Sequence, residues 1–148
     1  MEDIDQTQAQ LGYELAVYRE QIAMIKRETE RISLTTIDLT NALKTVEELK
    51  GERTLIPVGG GAFVKGTVSE TNVLVPIGGE YLVEMSKEEA AEEMKRRIEA
   101  TRRAVEKLNE EFTKIATKLR EVSGQLQRMQ AQSQLSDRVE GNIREDYI

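Results

Sequence analysis

The chain has 148 residues, 32% of them charged, with two Phe, four Tyr and no Trp, a composition that suits long helices with a narrow apolar stripe better than a thick globular core. It has no Cys and no His, which excludes disulfides, thiol chemistry, the usual neutral-pH proton shuttle and the commonest metal ligand. A net charge of −6 argues against nucleic acid as the main partner, because phosphate binding needs clustered Lys and Arg.

The start, Met1-Glu2-Asp3-Ile4-Asp5, is acidic and lacks the apolar stretch of a signal peptide. No apolar run approaches the roughly 18 residues of a membrane span. A soluble cytoplasmic protein with no membrane partner is expected.

The first predicted element covers 4–50. Leu11, Leu15, Tyr18, Ile22, Ile25, Ile32, Leu39, Leu43 and Val46 alternate at four and three, with Thr29 and Thr36 filling the gaps and Ile4 extending the series backwards. That is the seam of a coiled coil. The two threonines are expected to loosen it locally, and Gly51 to act as its C-terminal stop. Leu34 and Ile37 lie off the seam on the outer surface, either as scattered surface hydrophobes or as a second contact.

Residues 54–84 are the one place where the sequence repeats itself. Leu55-Ile56-Pro57-Val58-Gly59-Gly60 recurs as Leu74-Val75-Pro76-Ile77-Gly78-Gly79. Each copy leads into a β-prone run, Ala62–Lys65 and Tyr81–Glu84, so each reads as a β-hairpin, with 69–72 as the turn between them. Both faces are apolar: Ile56, Val58, Val64, Val68, Val73, Val75, Ile77 and Val83 alternate with Leu55, Phe63, Leu74 and Leu82. Four strands of about five residues are marginal on their own, and such a surface with open strand edges is avoided by soluble monomers. These residues are therefore the expected oligomer interface. Gly59–Thr67 superficially resembles a phosphate loop, but Lys65 precedes Gly66 and a strand follows, so nucleotide binding is rejected.

The second helix is expected over 86–136. Ser86 and Glu89 form a capping box. Ala91, Met94, Ile98, Thr101, Val105, Leu108, Phe112, Ile115, Leu119, Val122, Leu126 and Met129 follow at alternating three and four. Ser133 and Ser136 then occupy seam positions, so the stripe fades and 137–148 is expected to fray. Glu88, Glu89, Glu92 and Glu93 sit where carboxylates favour a helix N-terminus, a simpler reading than divalent-metal ligands or a site for a basic partner.

The two seams, joined by one connector, predict a mainly α fold with a small β region. The helices close into a long antiparallel coiled-coil hairpin, with two tandem β-hairpins at its closed end that assemble into an oligomeric platform. Opposed residue numbers should total about 137, give or take a heptad. Gly12 and Gly124 are then near neighbours across the coil, by chance, as a point of close backbone packing, or as a hinge. Ile4, Leu11, Leu126, Met129 and Leu135 gather at the open end, where a thinning seam offers a multivalent, sequence-tolerant grip. No nucleophile, base and acid group together, so no enzyme and no cofactor are expected.

Leu55–Gly66 and Val73–Glu84, flanked by coils, resemble the α-class subunit of prefoldin over essentially the whole chain, the archaeal form above all. The resemblance implies a single domain and a hexamer of two α-type and four β-type subunits, whose hairpins build a β-barrel. Unfolded clients are then held between the coil tips without ATP and passed to a group II chaperonin. Pro76 departs from the family by standing where a non-proline strand residue is expected. This leaves a structural scaffold or a filament-forming paralogue as the alternative.

Overall fold

A computed structural model describes residues 2–145. The element order is α1 (Glu2–Glu47), β1 (Arg53–Gly59), β2 (Ala62–Thr67), β3 (Val73–Gly78), β4 (Tyr81–Met85) and α2 (Lys87–Glu145). Among the described residues no helix is long and apolar enough to cross a membrane. The chain divides into two compact units. One comprises the chain through Glu30 with the chain from Glu106 onward; the other comprises Arg31–Val105.

In the first unit the seam residues are buried or half-buried from Leu11 to Thr29 and from Leu108 to Met129, with Leu15, Ile25 and Val122 most enclosed. The Lys26 Nζ lies 5.9 Å from the centre of the Phe112 ring, a cation–π contact across the coil. Ile4 lies on the expected seam but is exposed.

In the second unit Thr36 and Thr101 meet across the coil. The Thr36 hydroxyl donates to Thr101 Oγ1 at 2.8 Å, and the Thr101 hydroxyl donates to the Ile98 carbonyl at 2.7 Å. Threonines on the seam therefore form a bonded polar layer. Thr36 with Thr101 gives a residue-number total of 137, and Lys26 with Phe112 gives 138, so the antiparallel register matches the seam arithmetic in each unit.

Gly51 is not the stop of α1. The helix ends at Glu47, where Leu49 N bonds to the Val46 carbonyl at 3.2 Å and Lys87 Nζ donates to the Leu49 carbonyl at 3.0 Å. The start of α2 is the expected capping box: Glu89 N donates to Ser86 Oγ at 3.2 Å and Ser86 N to Glu89 Oε2 at 3.1 Å. Farther along, Glu93 pairs with Arg96 and Arg97, and Glu92 with Lys95. At its other end α2 stays helical through Glu145, beyond the fraying point expected at 136. Its last turns hold good helix formers such as Arg138 and Glu140, which need no seam partner to stay helical.

Each repeat folds as its own two-stranded antiparallel sheet, β1 with β2 and β3 with β4. A register shift follows each proline, between Pro57 and Gly59 and between Pro76 and Gly78. Both turn centres have positive φ: Gly60 (58°) and Gly61 (78°) in the first, Gly79 (56°) and Glu80 (65°) in the second. That is the two-residue geometry whose twist suits a hairpin, with a non-glycine held at one of the four positions.

Candidate functional site

The two hairpins have the same strand register but different surroundings. In the second, Val75 is 1% exposed and packs in a core with Val46, Ala90 and Ala91, with Val73 and Met85 against it. Arg97, oriented by Glu93 at 2.9 Å, donates from Nη2 to the Pro76 carbonyl at 2.8 Å. The departure at Pro76 thus keeps a useful carbonyl in a strand that lies at a sheet edge. Val75 and Val73, expected at the oligomer interface, instead fasten their hairpin to the chain's own helices. The reason is that one face of a hairpin must cover the coil end, and in β3 Val73 and Val75 do so.

The first hairpin has no such seat. Ile56, the counterpart of Val75 in the repeat, is 46% exposed, and Leu55, Val58, Phe63 and Val64 are at least half exposed. Both of its faces are therefore open. Within it, Ile56 leans over Gly66, where an added Cβ would come within 2.6 Å of Ile56 Cδ1. On the second hairpin Leu74 and Leu82 stand exposed on the face opposite Val75, Ile77 and Tyr81 are exposed beside the turn, and Val83 is partly open. Val68 is half-buried in the connection. The exposed apolar residues cluster on adjacent two-stranded sheets with open edges, a surface suited to burial against other chains.

At the other end of the sequence, Leu11, Leu126 and Met129 are half-buried, while Ile4 and Leu135 are exposed. Val139 and Ile143 are also exposed and extend a stripe from Leu135 at steps of four along α2. The sequence carries that signal, but the expectation of a frayed tail hid it. Gly12 and Gly124 both lie within continuous helix, and a Cβ added to either would meet nothing within 4 Å. Close backbone packing is therefore not their role. Leu34 and Ile37 are exposed on α1, as expected for positions off the seam.

Residues 18–132 match the family model described as "Prefoldin subunit". The chain is 33% identical to Prefoldin subunit alpha 1 of Methanocaldococcus jannaschii over 135 residues, covering 88% of this chain and 95% of the relative. This chain belongs to the prefoldin family. It is also 26% identical to Prefoldin subunit alpha of Pyrococcus horikoshii, over 85% of this chain and 89% of the relative. Among solved structures, the fold is similar to that of a filamentous prefoldin from M. jannaschii, with a TM-score of 0.66, 24% identity and coverage of 77% of this chain and 98% of the other. It is likewise similar to the prefoldin beta subunit from Thermococcus strain KS-1, with a TM-score of 0.57, 23% identity and coverage of 83% and 90%. The two-hairpin connector sits within the region shared with the alpha-type relatives.

Proposed function

We propose that this chain is the alpha-type subunit of an ATP-independent cytoplasmic chaperone. Its hairpins join those of beta-type subunits, two alpha with four beta, into a β-barrel platform. The coil tips hold unfolded proteins and pass them to a group II chaperonin. The observation that carries the reading is the first hairpin, apolar and open on both faces, on a chain whose seams are buried or half-buried from Leu11 to Val46 and from Ala91 to Met129. Burial of that surface in an assembly sets several tips side by side. Several weak apolar contacts then add to a firm hold without any one being specific. Met129 suits this role because a thioether side chain adapts to irregular partners. Gly12 and Gly124 serve as a paired soft point that lets the tips part around clients of different size.

Light scattering of a denatured client with the reconstituted oligomer, free of nucleotide, tests this reading. Suppression of aggregation at substoichiometric oligomer supports it. No suppression, together with fibres in the electron microscope, supports a structural scaffold instead.

A further inference from the structure

The second hairpin is tied to the coil by two kinds of contact. The apolar kind lies at its base, where Val73, Val75 and Met85 pack with Ala90 and Ala91 of α2. Those contacts stop at Val75. From there to the turn at Gly79 the strand runs on for about 13 Å, at ~3.3 Å per residue, and Ile77, Tyr81 and Leu82 along that stretch are exposed.

One polar tie reaches past the apolar seat. Arg97 donates from Nη2 to the Pro76 carbonyl at 2.8 Å and from Nε to Glu93 Oε1 at 2.9 Å. Arg96 Nη2 meets the other oxygen of the same glutamate at 2.7 Å, but its side chain is largely exposed. In the first hairpin Pro57 holds the place of Pro76, and there Ile56 is open to solvent instead of seated.

The two kinds of contact do different work. Apolar burial has no direction, so it sets where the base of the hairpin rests more firmly than how the hairpin tilts. A planar guanidinium with Nε on one group and Nη2 on another fixes a direction. The tilt matters because of the lever beyond Val75. A tilt of about 20° over about 13 Å moves the turn by about 4–5 Å, close to one strand spacing. A partner strand or side chain fitted to one tilt would miss at the other.

We propose that Arg97 is a positioning residue for assembly: aimed by Glu93, it holds the β3–β4 hairpin at one tilt, so that Leu74 and Leu82 meet the beta-type subunits already in place. This rests on the reading of the hairpins as the assembly surface. If the untied hairpin holds the correct tilt about a tenth of the time, its apparent affinity falls about tenfold, in proportion to the competent fraction. The fold itself depends little on the tie, because a pair partly open to water adds little stability.

The test is sedimentation of the full chain with beta-type prefoldin subunits, beside urea unfolding and amide exchange of the full chain alone. Arg97→Ala should leave the urea midpoint nearly unchanged, speed exchange within 73–85 but not in the helices, and weaken assembly by about tenfold or more. Arg97→Lys should weaken it too, since an ammonium lacks the fork that binds Glu93 and Pro76 together. Arg96→Ala removes the same charge from the same glutamate and should assemble as the wild type does.

An Arg97→Ala chain that assembles normally would overturn the assignment. So would an Arg96→Ala chain that assembles as poorly as Arg97→Ala, which would make the effect one of charge. A fall in the urea midpoint large enough to account for the lost assembly would make Arg97 a fold residue and overturn it as well. If Arg97→Ala assembles normally while replacing residues 54–84 abolishes assembly, only the positioning role fails and the platform reading stands. If the replaced chain still assembles, the platform reading fails and this inference with it.

Discussion

Replacing Gly12 and Gly124 with alanine together should stabilise the chain and impair its grip on large clients. A glycine inside a helix costs about 0.5–1 kcal/mol relative to alanine, through extra backbone freedom in the unfolded chain. That gain is realised only if the new methyl group fits, and at both positions a Cβ meets nothing within 4 Å. The double variant should therefore gain about 1–2 kcal/mol, or about 2–8 °C in Tm for a chain of this size. Thermal unfolding followed by circular dichroism measures the gain, and amide exchange should slow in the helical turns around both positions. Aggregation assays with small and large clients then separate stability from function, with capture of the large ones falling. A lower Tm would refute the packing argument. A higher Tm with every client held as before would refute the hinge.

Three further outcomes follow from local geometry. Ser86→Ala removes one arm of the capping box and should cost about 1 kcal/mol, read by urea unfolding. Thr36→Val with Thr101→Val exchanges a bonded polar pair for two apolar groups and should be neutral or stabilising; a loss above about 1 kcal/mol by the same assay would show that the polar layer is needed. Leu135→Ser, Val139→Ser and Ile143→Ser together should leave Tm nearly unchanged, since all three are exposed, while weakening suppression of client aggregation.

The helices were readable because burial follows a strict alternation of three and four, which only an α-helix with one covered stripe satisfies. That arithmetic fixed the register well enough to place Thr36 opposite Thr101. The hairpins were readable from a duplicated turn whose residues tolerate positive φ. Their orientation was not. An apolar strand with two apolar faces does not say which face covers its own coil, so Val75 could not be told from Ile56 until Ala90 and Ala91 came to lie against it. The stop at Gly51 was misplaced because α1 is ended by contacts of its loop, including Lys87, thirty-eight positions from Leu49. The helical run to Glu145 is not legible from the seam, because the seam pattern marks where a helix is covered and not where it ends. An exposed stripe such as Leu135, Val139 and Ile143 holds helical spacing without a seam.

On the proposed function, apolar hairpins gather the coils so that several tips grip one client. The most direct measurement compares aggregation suppression by the reconstituted oligomer containing this chain with that by a chain in which residues 54–84 are replaced by a short helix-connecting loop. This chain's own tip is the same in both, but only in the oligomer does it stand beside other tips, including those of the beta-type subunits. Loss of linkage between weak sites should lower capture by about 100-fold or more, with the replaced chain sedimenting as a helical monomer. Equal suppression per tip by the monomeric chain would contradict the account.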